Sequence, residues 1–166
     1  MMLGFYQNFP RQTHNLLHFT VAASRRKLQQ ALTQTLHKLN SETFSIEEVA
    51  HPSIHRCTVI LEFGIAEANT FNYLDEEQKR RTLKALQKEP FQVMDFFCVI
   101  RYYKTHKRKK SPLKFDYYML RFTFGRKSAE VQVFHERGPR HASPEEIADF
   151  ITDKVNEQSS RRILRH

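Results

Sequence analysis

Three apolar, aromatic runs lie almost end to end at 91–103, 113–124 and 129–134, and no other part of the chain restricts the fold as much. The connectors between them, KTHKRKKSP and GRKS, are polar and turn-like. Runs rich in Phe, Tyr, Val and Ile and punctuated in this way read as strands joined by hairpins, so the simplest arrangement is a three-stranded antiparallel meander. A meander of this kind has to bury a face, and the rest of the chain supplies helices to cover it.

Caps and periodicity mark the helices. Ser24 precedes a segment reaching to about Asn40 in which Leu28, Ala31, Leu32, Thr35, Leu36 and Leu39 recur every three or four positions, forming one stripe of a helix. Asp75 caps a second helix, with Gln78 placed to return the capping bond and Glu76 and Glu77 matched to the positive end of the dipole. That helix should end before Pro90. Ser143, Pro144 and Glu146 supply the cap, the first-position proline and the third-position glutamate of a last helix. Its buried stripe is Ile147, Phe150, Ile151 and Val155.

Further strands are predicted at 16–22, a short buried run, and at 57–65, where CTVILEFGI is apolar on both faces. The second reads as a central strand covered on two sides, with Glu62 as its one charge. The stretch 44–50 suits either an edge strand through Phe44 and Ile46 or a helical turn over Glu47 and Glu48, and the strand is preferred. Residues 67–74 read as a polar loop and the tail SSRRILRH as a frayed basic end. These elements sum to a single α+β domain over 1–166, with a mixed or mostly antiparallel sheet on about three helices and flexible ends at 1–12 and 158–166.

Composition narrows the function classes. With 40% hydrophobic residues and 14 Phe in 166 residues, the chain has enough apolar surface to order itself, which excludes global disorder. No run approaches the roughly 18 apolar residues of a membrane span, and 1–10 lacks the pattern of a secretory signal, so a soluble, cytoplasmic protein is expected. Cys57 and Cys98 sit inside apolar runs and suit reduced, buried thiols. Only 4 Gly occur, which argues against a glycine-built phosphate cradle. The sequence Gly125, Arg126, Lys127, Ser128 has the end of such a cradle but Leu120 where its first glycine is required.

The net charge of +9 is unevenly placed: residues 1–100 carry 11 Lys and Arg against 10 Asp and Glu, whereas 101–166 carry 16 against 8. This asymmetry points to an anionic partner, either nucleic acid or an acidic protein surface. The densest stretch holds Arg101, Lys104, Lys107, Arg108, Lys109, Lys110, Lys114, Arg121, Arg126 and Lys127 with Asp116 as the one acid. Lys107 to Lys110 on a hairpin can follow a phosphate backbone, and Tyr102, Tyr103, Tyr117 and Tyr118 on its strands can stack bases. Arg25, Arg26 and Lys27 occupy the first turn of a helix, where an anion would relieve their conflict with the dipole. No helix-turn-helix or zinc-finger pattern occurs and the cations stand among aromatic strands, so the expected function is non-catalytic binding of RNA or single strands, without a cofactor. The alternative is an interaction module docking an acidic protein. A homodimer is compatible with the large apolar content.

One enzymatic alternative rests on Asp116, then Glu130 and Gln132 on the next strand. A helix, three strands and a helix presenting an aspartate and then a glutamate resemble the restriction-endonuclease-like nuclease core, over about 75–155. The resemblance implies that Asp116 and Glu130 hold Mg²⁺ or Mn²⁺, which activates water beside a phosphodiester. Gln132 stands where that family carries lysine. Nine histidines invite a metal reading, but His14 with His18, His51 with His55, and His135 with His141 match no ligand pattern, so no metal site is predicted from them. Two loops, 67–75 with Asn69 and Asn72 and 135–141 with Arg137 and Arg140, lie beside helix starts where a ligand can be oriented.

Overall fold

The computed structural model describes residues 3–11, 15–51, 56–106 and 109–166, and of Asn15, Thr105, His106 and 109–114 the backbone alone. Its centre is the expected meander: β5 (Val93–His106), β6 (Lys109–Gly125) and β7 (Ser128–Arg137), each antiparallel to the next. The sheet extends to β3 (Cys57–Glu67) beside β5 and to β1 (Asn15–Val21) beside β7. Two short strands, β2 (Thr43–Ser45) and β8 (Leu164–Arg165), lie at the two ends of the sheet, and β4 (Thr70–Tyr73) folds back on the far end of β3. The order is β2-β3-β5-β6-β7-β1-β8, antiparallel throughout, which makes the fold α+β.

Alternation puts one face of this sheet into the core. Val59, Leu61, Phe63, Met94, Phe96, Ile100, Leu120, Phe122, Val131 and Val133 are buried on it. Helices α1 (Arg25–Leu39) and α4 (Pro144–Gln158) lay their predicted stripes there, Leu32 and Leu36 from one and Ile147 and Ile151 from the other. Phe44 of β2 meets Phe150 of α4 edge to face at 5.2 Å. Helix α3 (Glu76–Lys88) lies alongside α1 with Leu86 buried. The buried amide of Gln29 secures that side by bonding both the N–H and the C=O of Phe91, at 2.8 and 2.7 Å.

The predicted caps form: Lys27, Gln78 and Glu146 donate their backbone N–H groups to Ser24, Asp75 and Ser143. Gln78, however, accepts from Arg81 Nη1 at 2.9 Å instead of returning the capping bond. The ambiguous stretch is both things in turn, because Ser45 ends β2 and starts the one-turn α2 (Ile46–Val49), with Glu48 accepting the Ser45 N–H at 2.7 Å.

Several boundaries differ from expectation. Part of KTHKRKKSP is strand, since β5 and β6, after a register shift between Arg101 and Tyr103, stay paired as far as His106 and Lys109. The polar loop contains β4, where Phe71 pairs with Ala66 and Tyr73 with Gly64. The tail is folded: Ile163 and Leu164 are buried, their N–H groups both bond Asn156 Oδ1 at 2.9 Å, and β8 pairs with β1. At the other terminus Leu3 is buried, and Gly4 joins β3 to β5 by bonds to Ala66 O at 2.7 Å and from Asp95 N–H at 2.6 Å. Strand β3, finally, is covered by helices on one face only. Its even-numbered residues Thr58, Ile60, Glu62 and Gly64 are half-buried on the opposite face of the sheet.

Candidate nucleic-acid interface

Period-two alternation sorts the predicted binding residues onto two faces. Tyr102 and Tyr118 point into the core and are fully buried, so neither can stack a base. The hydroxyl of Tyr102 donates to Asp116 Oδ2 at 2.6 Å and that of Tyr118 to the carbonyl of Ala142. Burial pushes both phenols far above their ordinary range, so neither ionises in the folded protein. Arg101, Tyr103, Tyr117 and Arg121 lie on the other, open face, each half-buried.

That face carries an aromatic line running across the strands. Tyr6 packs against Phe71 of β4 with ring centroids 4.7 Å apart, Phe71 against Phe97 of β5 at 5.4 Å, and Phe97 against Tyr117 of β6 at 6.0 Å. Arg137 at the end of β7 completes it, its guanidinium 4.2 Å from the centre of the Tyr117 ring. One step along β6, Arg101 stands 5.1 Å over Phe115 and is ion-paired with Glu62 at 3.0 Å. Ile60, Val99, Met119 and Phe134 extend the half-buried apolar surface around these rings.

One end of the face is already occupied by the chain itself. Residues 5–9 cross it and are pinned by an ion pair: Arg121 donates from Nε and Nη2 to the fully buried Asp95 carboxylate at 2.7 and 2.8 Å and from Nη2 to Tyr6 O at 3.1 Å. The Tyr6 N–H binds the same carboxylate at 2.7 Å, and the guanidinium lies between Phe5 and Phe9, 5.2 and 4.5 Å from their centroids. Arg121 is therefore held in place as a structural cation by Asp95 and the segment around Tyr6. Residues 67–75 are likewise committed: Asn72 and Arg81 both donate to Glu67, whose pKa is lowered chiefly by the Arg81 bond.

The remaining cations fall into two groups. Lys104 is exposed near the outer end of β5, the backbones of Lys109 and Lys110 continue β6 beyond it, that of Lys114 lies opposite 101–103, and Lys107 and Arg108 lie outside the described residues. Arg25, Arg126 and Lys127 are gathered elsewhere, around a groove of about 660 Å³ between the start of α1 and the turn joining β6 to β7. Arg26 points away from that groove, donating to Leu86 O at 3.2 Å, and Lys27 is exposed.

The proposed nuclease residues do not come together. Asp116 is on the helix-covered face with no exposure, whereas Glu130 and Gln132 are on the open one, where Glu130 sits 3.3 Å from His18. Carboxylates on opposite faces of a sheet cannot share an ion, which corrects the pairing of Asp116 with Glu130. Asp116 instead organises the loop after β7. Its Oδ1 binds His135 Nε2 at 2.8 Å and the Arg140 N–H at 2.6 Å, while its Oδ2 takes the His141 N–H at 2.9 Å besides Tyr102. Four partners satisfy a buried carboxylate. Gly138 makes this possible, since at φ +113° a Cβ there would stand 2.2 Å from Phe115 O. Among the described residues no three His, Cys, Asp or Glu side chains are grouped to hold a metal ion.

Sequence reasoning missed Phe97, Phe71 and Phe115, and it read Arg137 as part of a loop where the structure puts it at the end of β7, over Tyr117. The signal was available in part, because Phe97, Phe115 and Tyr117 all occupy odd positions in their strands, on the same face as the charged Arg101 and Arg121. No family model, curated protein or solved structure matches the chain.

Proposed function

We propose that the chain binds single-stranded nucleic acid, RNA in preference to DNA, on the open face of its sheet. The observation that carries this reading is the stack of Arg137 on Tyr117 at the end of a four-ring aromatic line, on a face that no helix covers among the described residues. Aromatic rings and guanidinium planes accept unpaired bases whatever their identity. In the sequence the two strands that carry Phe97 and Tyr117 run on into the cation-rich stretch 104–114, whose charge suits the phosphates of a strand with its bases on those rings. Duplexes suit the face less well, because their bases are already stacked and paired. The preference for RNA rests on the absence of the common DNA-reading motifs and on an aromatic sheet as the platform.

Fluorescence anisotropy with labelled, mixed-sequence RNA and DNA oligonucleotides tests the reading. Single strands should bind more tightly than duplexes, and affinity should fall as salt rises. Removing one stacking ring by Tyr117→Ala should weaken binding by about five- to 150-fold, the equivalent of roughly 1–3 kcal/mol per base. Equal affinity of Tyr117→Ala and the parent for every oligonucleotide, with both folded by circular dichroism, overturns it. So does retention of an acidic protein partner, after nuclease treatment, by a chain that binds no oligonucleotide.

A further inference from the structure

The sheet has one edge of useful length that nothing described covers. Strand β1 pairs with β7 over Asn15–Thr20, but on its outer side β8 reaches only Thr20 and Val21. Two bonds fix which backbone groups face outward. Val21 N–H bonds inward to Lys127 O at 3.0 Å, and Ala22 N–H bonds outward to Ile163 O at 2.8 Å. Even-numbered residues of β1 therefore turn their N–H and C=O away from β7. Thr20 is taken up by β8, which leaves the two N–H and two C=O groups of Leu16 and His18. Leu16 is also one of the few large apolar side chains well exposed, at 43%, and neither proline nor lysine guards this edge.

We infer that the occupant of this edge is a second copy of the chain, pairing β1 with β1 about a two-fold axis through Leu17. Among the described residues only that register uses every free group: each Leu16 exchanges both bonds with His18 of the other copy, four bonds in all, and the two Leu17 residues face one another as a non-hydrogen-bonded pair. A two-fold axis centred on His18 would instead set Leu16 against Thr20, which β8 already holds. Pairing through Leu17 joins two sheets edge to edge and places their open faces side by side, with Leu16 of each copy beside His18 of the other. The proposal stands on the edge geometry and not on the nucleic-acid reading.

Sedimentation equilibrium of the full chain between about 1 and 200 μM tests it. The result expected is a monomer–dimer equilibrium between 19.8 kDa and twice that mass, with the dimer strengthened by salt because two copies of charge +9 repel. Nucleic-acid binding has the opposite salt dependence, so the two claims fail separately. His18→Pro removes an N–H that β7 does not use, and Leu16→Lys puts a charge on the edge. Each should weaken dimerisation at least about tenfold while leaving circular dichroism unchanged. Leu17→Cys reads the register directly, since non-hydrogen-bonded partners about 4.5 Å apart at Cα lie within disulfide range and should cross-link on mild oxidation. A monomer at every concentration and salt overturns the inference, as does a dimer indifferent to both edge variants.

Discussion

Replacing Arg121 with Met should destabilise the fold by about 3 kcal/mol, although the residue lies on a half-open surface. Asp95 beneath it has no exposure and is held by two guanidinium bonds and by the Tyr6 N–H. In the variant only the Tyr6 bond remains, and an uncompensated buried carboxylate typically costs about 3–5 kcal/mol. The Arg121 side chain is 21% exposed, which screens the pair and favours the low end of that range. Loss of the contacts to Phe5 and Phe9 adds a few tenths of a kcal/mol each, roughly. For a chain of this size about 3 kcal/mol corresponds to a fall of roughly 6–12 °C in Tm, measured by far-ultraviolet circular dichroism. Adding Asp95→Asn should recover part of the loss, because the charge left without its partner is gone. A change below about 1 kcal/mol for Arg121→Met, or a double variant no more stable than the single one, would refute the reasoning. The folded variant should keep its affinity for single-stranded RNA to within about twofold, since a cation already bonded to Asp95 has no phosphate contact to lose.

Gly138→Ala should be among the most disruptive small changes in the chain, about 3 kcal/mol or more by urea denaturation. Its Cβ meets backbone at 2.2 Å, and the displaced loop leaves Asp116 short of partners. Glu146 has its pKa pushed up by burial but more strongly lowered by the bonds it accepts from Ser143 and His51, so the net shift is downward. A carboxylate so lowered contributes stability that is present above the unfolded value of about 4.5 and lost as pH falls through the folded one. A plot of Tm against pH over the acid range should therefore be shallower for Glu146→Gln than for the parent, and parallel curves would count against this. Burial raises the pKa of both thiols, Cys98 most of all, so a thiol reagent at neutral pH should label the native chain slowly and both cysteines rapidly in guanidinium. Changing residues 107–110 to glutamate should weaken RNA binding and flatten its salt dependence with the fold intact; an unchanged slope would remove the hairpin from the interface.

The sequence was legible wherever a local rule acts alone. Ser24, Asp75 and Ser143 start helices because a side-chain oxygen serves the free N–H groups of the first turn, whatever surrounds them. The meander was readable for a similar reason, since its strands are adjacent in the chain. What stayed hidden depends on distant partners. The tail looks frayed until Ile163 and Leu164 are seen under α4 and against β1, and Arg121 looks like a phosphate contact until Asp95 and the segment around Tyr6 are brought to it. Asp116 is the clearest case. A lone acid among ten cations suggests a metal ligand, yet one-residue alternation turns it away from Glu130 and toward Tyr102, His135 and the backbone of 140–141.

The most direct measurement of the open-face reading is a titration of the ring resonances in the NMR spectrum with a single-stranded RNA oligonucleotide. Bases stacking on the face should shift Phe97 and Tyr117 progressively, while the buried rings of Tyr102 and Tyr118, on the far side of the same strands, serve as internal controls and hardly move. Shifts confined to residues around Arg25, Arg126 and Lys127, or no shifts at all at low salt, would contradict it.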